Sequence, residues 1–379
     1  MFPAALRFAL VAPLLLAVSA AAESPSRTVP TRPAGPLTNS SPRPPAMGRL
    51  SSLSVTRLGG VEYVSLREAA ALMGLKVVWL ELERRLILSD PTTKVEFEAD
   101  SRGLVLNGLR LFLGRPVVLR NGAFYVSRVD FERGLVARLR PALLSGVPAR
   151  PKVIALDPGH GGNDNGMENK RLGLKEKVLT LEVALRLQKL LIARGYKVVL
   201  TRTDDRQLAP DKPTDFRKRA DIANRAGADL FVSIHFNSLY PDTKTSGTET
   251  YTFTPQNQRS DRAWSPAEPD DTEREAMPVN RFDPWSALLG QLMHREVIGA
   301  LKTLDRGQKT MHSAVMRGLN CPAVLVESIF LSNDGEAKQA ASAEGRQQIA
   351  EALAAGIGAY ADTVSALQPK PPGPGAVSP

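Results

Sequence analysis

The chain has 379 residues, with 49 Lys and Arg against 39 Asp and Glu, four His and one Cys; at roughly 150 residues per domain this leaves room for two domains plus tails. A content of 43% hydrophobic and 23% charged residues can bury a core, while a single Cys excludes an internal disulfide framework and any Cys-based zinc finger. The net charge of +10 favours acidic partners without choosing among nucleic acid, anionic lipid and an acidic polymer.

Residues 1–22 read as an export signal. Arg7 is the only charge, residues 8–18 are apolar around Pro13, and Ala20-Ala21-Ala22 offers a small-residue cleavage site. The apolar run is shorter than the roughly 20 residues a membrane span needs, so no span is expected after cleavage. Its removal leaves a net charge of +9 and a protein that works outside the cytoplasm, in the periplasm, the cell envelope or the medium. Residues 23–48 carry seven prolines and predict an extended tether, and residues 363–379 predict a similarly disordered tail.

Residues 49–147 predict a small β-rich α+β domain. A strand over 61–64 leads into a helix over 66–73, whose Leu66, Ala69, Ala70 and Met73 share one face and which stops at Gly74. Paired strands follow over 76–80 and 85–88, then short strands over 95–97, 104–106, 109–113, 116–119 and 123–126, and a helix over 128–139. Asn107-Gly108 and Asn121-Gly122 fall between runs, where they signal tight hairpins. No His or Cys precedes residue 160, so this domain lacks imidazole and thiolate ligands. A binding or spacer role and a plain structural domain both fit.

Residues 150–362 predict an α/β domain: a mostly parallel twisted sheet with helices on both faces. A buried-type strand over 152–156 runs into Asp157-Pro158-Gly159-His160-Gly161-Gly162, a loop whose glycines let backbone approach a ligand. Glu176 opens an amphipathic helix (178–193) in which Leu181, Ala184, Leu185, Leu187 and Leu190 form the apolar set. A strand over 197–200, a helix over 215–226 and a strand over 229–234 follow, and His235 stands at the end of the last. A helix pattern covers 286–304, a short strand 314–316, and a strand over 323–326 delivers Glu327. In open α/β sheets the ligand crevice lies at the carboxyl ends of the strands, where these groups fall.

Two His and two Glu converging on one rim are the inventory of a zinc hydrolase. Three protein ligands leave a fourth position open, and a second carboxylate carries protons. Taken singly, each His is more commonly a structural residue; the joint pattern is what points to chemistry. His294 lies within a helix pattern and reads as a packing or surface residue, His312 precedes a strand and is a lesser substrate-contact candidate, and Cys321 reads as a small buried hydrophobe.

The pieces DPGHGG (157–162), GLKEK (173–177), LTR (200–202), RADIAN (219–224), FVSIHFNS (231–238), GTETY (247–251) and VESIFLSN (326–333) stand in one order over residues 152–361. In that order they resemble the zinc-dependent N-acetylmuramoyl-L-alanine amidases. The resemblance implies a Zn2+ cofactor with His160, Glu176 and His235 as ligands and Glu327 as the catalytic carboxylate. It also implies peptidoglycan as substrate, cut at the amide between N-acetylmuramic acid and L-alanine. Asn237 and Arg317 are the substrate-contact candidates. Ser328-Ile329 departs from the family's small residue and glycine and puts the reaction rate in doubt. The segment 63–68 together with Trp79 resembles the N-terminal module of copper amine oxidases, without its copper.

The long connection over 254–284 carries Glu268, Asp270, Asp271, Glu273 and Glu275. Some relatives cover the zinc with a helix in this part of the fold until a protein activator moves it, so an activator is a possible partner. The competing reading is a peptidoglycan-binding protein without hydrolysis. Nucleic acid is not an expected partner, since basic clusters interleaved with aromatics are missing and the chain is exported.

Overall fold

A computed structural model describes residue 50 and residues 53–261 and 274–369. The expected signal 1–22, the tether 23–48, the centre of the 254–284 connection with its acidic run from Glu268 to Glu273, and the tail from residue 370 lie outside the described residues.

The first module begins with β1 (Val55–Leu58), β2 (Val61–Ser65) and α1 (Leu66–Met73). Ser65 caps α1 by accepting from the Arg67 amide, and Gly74 ends it in the left-handed conformation at φ 67°. A meander follows: β3 (Lys76–Glu81), β4 (Arg85–Ser89), β5 (Lys94–Glu98), β6 (Gly103–Leu106) and β7 (Leu109–Phe112). Then come β8 (Val118–Arg120) and β9 (Ala123–Ser127). Asn107-Gly108 and Asn121-Gly122 both take positive φ, as tight hairpins require. The helix expected over 128–139 is present but interrupted. Between α2 (Arg128–Asp130) and α3 (Val136–Leu139), residues Phe131–Leu135 form a π-turn.

The second module starts with β10 (Val153–Pro158), then a two-stranded ribbon of β11 (Glu168–Asn169) and β12 (Leu174–Lys175), which feeds α4 (Glu176–Ala193). It continues through β13 (Lys197–Leu200), α5 (Lys212–Arg225), β14 (Leu230–Asn237), β15 (Thr248–Phe253), α6 (Asp283–Leu301), β16 (Asp305–Met311), β17 (Ala323–Phe330), α7 (Asp334–Ala341) and α8 (Ala343–Ala366). Strands β13, β10, β14 and β17 are parallel neighbours, β15 runs antiparallel to β17, and β16 lies parallel to β15. Side-chain alternation serves two cores. Ile154, Leu156, Val232 and Ile234 join the core containing α4, α6 and α8, whereas Ala155, Phe231 and Leu325 join the one containing α5. Helices therefore cover both faces.

Several local readings change in the tertiary context. On α4 the buried face is Leu179, Val183, Ala184, Leu187 and Leu191, while Leu181, Leu185 and Leu190 are half-buried, because α8 covers a different stripe from the one the spacing suggested. Residues 314–316 are a turn, not a strand. β15 and β16, which carry Thr, Gly, Gln and Arg instead of an apolar run, are strands only because neighbouring strands pair with them. Residues 363–366, expected as the start of a disordered tail, are helical: α8 continues to Ala366 with Val364 buried.

The two modules share one sheet. β16 pairs in parallel with β7 at Gln308 and Leu111, giving an 11-stranded sheet that ends at β3. Across this seam the Arg110 amide donates to Asp305 Oδ2 (2.7 Å), Arg138 Nε donates to Gln308 Oε1 (3.4 Å), and Arg102 pairs with Asp261. The accessory module thus caps an edge strand that would otherwise present bare backbone groups. A chain starting at Pro148 should unfold at least about 4 °C lower and self-associate, as read by calorimetry and light scattering. An unchanged Tm with a monomer would contradict this.

Asp283 is buried at the first turn of α6 and accepts from Asn280 Nδ2 (3.0 Å). Burial pushes its carboxyl up to about 7, against the pull of Asn280 and Arg133. Between the ordinary carboxylate range and that value the folded chain keeps a proton the unfolded chain has released, so stability falls as pH rises through this window and levels off above it. Asp283→Asn should flatten that decline and raise Tm at pH 8, with a ceiling of roughly 4 kcal/mol. A parent whose Tm does not fall between pH 5 and pH 7 would refute the coupling.

Candidate metal and catalytic site

The site lies at the carboxyl ends of β10 and β14, the crevice position of an open α/β sheet, beside the middle of β17, which continues three residues beyond Glu327. Beneath it Asp157, the penultimate residue of β10, is 1% exposed. It accepts from Thr201 Oγ1 (2.6 Å), Ser233 Oγ (2.8 Å) and Arg219 Nη1 (2.9 Å). Burial opposes its ionisation, but Arg219 and these hydroxyls hold its carboxyl below the usual range. Arg219 comes from the buried face of α5 and also donates to the carbonyls of Pro158 (2.9 Å) and His160 (2.7 Å). Arg202, equally buried, donates to the carbonyls of Pro158 (3.0 Å), Gly159 (2.8 Å) and Lys177 (2.7 Å). Two guanidinium groups thereby clamp the loop to the start of α4 and hold His160 at φ 65°, a left-handed conformation uncommon outside glycine.

That clamp brings three side chains together. Among the described residues, His160, Glu176 and His235 offer ligand atoms all within 4.8 Å of one another. Glu176 Oε1 lies 3.0 Å from His160 Nε2 and 3.0 Å from His235 Nδ1. The imidazole rings are nearly perpendicular, with centroids 4.9 Å apart. Glu176 is 4% exposed, and its two oxygens also accept the amides of Phe236 (3.1 Å) and Met167 (2.8 Å). Burial raises its proton affinity, but the two imidazoles more than reverse this and hold the carboxyl well below its ordinary range. His160 is pushed up to about 9: burial would lower it, but Asp164 and Glu176 raise it.

Close approach requires missing side chains. A Cβ on Gly159 would run into the His235 ring, and one on Gly166 (φ 63°) would meet the Glu176 carboxylate and the His160 ring. Two imidazole nitrogens and one carboxylate oxygen fit a zinc-type ligand set with a position left for a further ligand. Asp164 Oδ2, 3.1 Å from His160 Nδ1, fixes the tautomer that presents Nε2 to the cluster.

Glu327 lines the same cleft, which encloses about 480 Å³. It is in register with His235 on one side and with Glu249 on the other. Glu249, absent from the sequence reading except within the GTETY piece, is 4% exposed. It accepts from Lys309 Nζ (2.6 Å), Tyr251 Oη (2.6 Å), Arg306 Nε (3.0 Å) and Asn237 Nδ2 (2.7 Å). Asn237 therefore sits at the cleft wall as a held side chain, its Oδ1 accepting the Ser238 amide (2.8 Å).

Arg317 is exposed on the 314–318 turn, where a strand was expected, and is not among the residues lining the cleft. His312 does line the cleft, 6.0 Å from the Phe253 ring centroid to centroid. His294 is fully buried between Thr250 Oγ1 (2.9 Å) and Asp305 Oδ1 (2.9 Å), a packing role. Cys321 is buried, which pushes its thiol up to about 12. Ser328 and Ile329 are both buried and neither lines the cleft. Asp157, Arg202, Arg219 and Glu249 went unassigned because partners of theirs are distant in sequence, whereas Asp164 meets His160 only four residues away, through the turn of the loop. For Asp157 the hint was a charged residue at the end of an apolar run.

The family model for N-acetylmuramoyl-L-alanine amidase matches residues 154–359, and that for the copper amine oxidase N-terminal domain matches residues 55–140. An uncharacterized cell wall amidase of Bacillus anthracis is 32% identical over 207 residues, covering 54% of this chain and 35% of that protein. The germination-specific N-acetylmuramoyl-L-alanine amidase of Bacillus subtilis is 30% identical over 223 residues, covering 56% of this chain and 81% of the relative. Among solved structures, the N-acetylmuramoyl-L-alanine amidase from Clostridium difficile 630 aligns with a TM-score of 0.45 and 30% identity, covering 57% of this chain and 99% of that one. The amidase model covers more than half of the chain, and the class it defines is a peptidoglycan amidase. The chain belongs to the N-acetylmuramoyl-L-alanine amidase family, with a copper amine oxidase N-terminal-like module ahead of the catalytic one.

If Asp164 orients His160, Asp164→Ala should weaken zinc affinity by about 10–100-fold in calorimetric titration. Unaltered affinity would remove Asp164 from the site.

Proposed function

We propose that this chain is an exported, zinc-dependent amidase that frees the stem peptide from the glycan by cutting the bond between N-acetylmuramic acid and L-alanine. The observation that carries the reading is the convergence of His160, Glu176 and His235 within 4.8 Å, with Glu327 in register beside His235. These three residues would hold the ion. Bound there, a divalent ion supplies Lewis-acid polarisation of the scissile carbonyl and lowers the pKa of a water to around 7.

The chain's own residues supply the rest. Glu327 takes a proton from the attacking water as the new carbon–oxygen bond forms, then returns it to the L-alanine nitrogen as the carbon–nitrogen bond breaks. Glu249, neutralised by Lys309 and Arg306, keeps Asn237 at the wall, where its amide can meet substrate. The Arg202 and Arg219 clamp keeps the His160 loop from relaxing, so orientation is set before substrate arrives.

Export rests on the sequence of residues 1–22; no helix among the described residues is long and apolar enough to cross a membrane. The +9 charge after cleavage suits the carboxylate-rich stem peptide. Control by a protein activator enters through the family resemblance alone, and full turnover by the purified chain without added protein would dismiss it.

Mass spectrometry of digested purified peptidoglycan should show free stem peptides with an L-alanine amino terminus, lost on chelation. Glu327→Gln should lower kcat by roughly 10²–10⁴ while zinc binding persists. Cut glycan or cut cross-links, or a Glu327→Gln variant as fast as the parent, would overturn the reading; saturable binding of peptidoglycan without any cleavage would favour a binding protein.

A further inference from the structure

Beside the catalytic cleft lies a second cavity of about 480 Å³ that the mechanism above does not use. Its walls are the two chain segments attached to the metal-site residues. One is the β11–β12 ribbon carrying Lys170 and Arg171, which leads directly into Glu176. The other is the loop with Tyr240 and Thr243, which leaves β14 just after His235 and Asn237. Met167 lines both cavities, and Ser238 bridges them: its Oγ donates to Met167 Sδ (3.0 Å) and accepts the Tyr240 amide (3.3 Å). The two spaces therefore adjoin at Met167.

Two properties of this cavity select its occupant. Tyr240 is 74% exposed, a large ring on a wall whose turn is tied down. Asp242 pins the turn by accepting from Thr245 Oγ1 (2.6 Å) and the Lys244 amide (2.7 Å), and Asn333 Nδ2 ties the Lys244 carbonyl to the floor (3.2 Å). The charges balance: Arg171 is paired with Asp334, and Lys170 is offset by Glu168. An exposed aromatic ring on a pinned turn, among balanced polar groups, suits an uncharged polyhydroxyl ring, with the sugar's apolar face on the tyrosine and its hydroxyls on the polar rim. A carboxylate-rich peptide would find no surplus positive charge there.

We propose that this second cavity is a sugar subsite, holding on Tyr240 the glycan residue that flanks the muramic acid whose amide is cut. The inference rests on the amidase reading for the identity of the strand. Its physical content is that the enzyme reads the glycan chain as well as the bond, and so acts on strands in preference to isolated muramoyl peptides.

The test is calorimetric titration of the full chain with peptide-free glycan strands, alongside turnover on peptidoglycan strands and on a single muramoyl peptide. The parent should bind the strands saturably, Tyr240→Ala should weaken that binding about fivefold or more, and Tyr240→Trp should keep it. The kcat/KM of Tyr240→Ala should fall more on strands than on the single muramoyl peptide. The subsite is overturned if the parent does not bind peptide-free strands, if Tyr240→Ala binds them as well as the parent, if free stem peptide displaces them, or if both substrates lose equally. Failure of the amidase reading looks different: the parent then binds strands but hydrolyses neither substrate.

Discussion

A carboxylate almost sealed from water and wedged between two imidazoles is the constraint around which the catalytic half is arranged. A buried negative charge is costly unless positive charge stands against it. Glu176 meets that demand with His160 and His235, each 3.0 Å from the same oxygen, and with two backbone amides. The cluster draws in cationic charge, whether protons or a divalent ion. It stays assembled because neither histidine can swing away: Gly159 leaves no room between the loop and the His235 ring, and the Arg202 and Arg219 clamp closes the loop behind His160.

The sheet extends this logic sideways. His235, Glu327 and Glu249 form one row across three adjacent strands, so two carboxylates are directly opposed. Like charges in that relation repel. Lys309 and Arg306 absorb the conflict by taking Glu249, which leaves Glu327 as the carboxylate turned to the cleft. Lys309 in turn lies over the Phe112 ring at 5.6 Å, and a Cβ on Gly307 would press on that same ring. Phe112 belongs to the accessory module. A chain of contacts therefore runs from β7 through Lys309 and Glu249 to Asn237 at the cleft, and the module is built into the catalytic sheet instead of hanging from it.

Sharing a sheet also explains the polar character of the seam. β16 reads DRGQKTM, too polar to announce a strand, because β15 and β7 pair with its backbone while its side chains serve Glu249, Asp261 and Gln291. Edge strands that stay soluble carry such sequences, and here the edge has been given a partner in the same chain.

Periodicity and turn chemistry, which act over a few residues, made much of the fold legible: the α1 stop at Gly74, both Asn-Gly hairpins, the β10, β14 and β17 runs, and His160 just past the end of β10; His235 and Glu327, expected beyond their strands, lie within β14 and β17, which run on to Asn237 and Phe330. The order of motif pieces disclosed the family. What could not be read locally was mostly relations between segments: which stripe of α4 is covered, that residues 314–316 turn and leave Arg317 exposed, and that Glu249 holds Asn237; that Asp164 backs His160 depends on the fold of the loop between them. The linear order of residues determined which groups were available and which strands would carry them. Only the tertiary structure decided which charges face one another, because electrostatic and steric partners across a sheet are set by register and packing, to which sequence separation is blind.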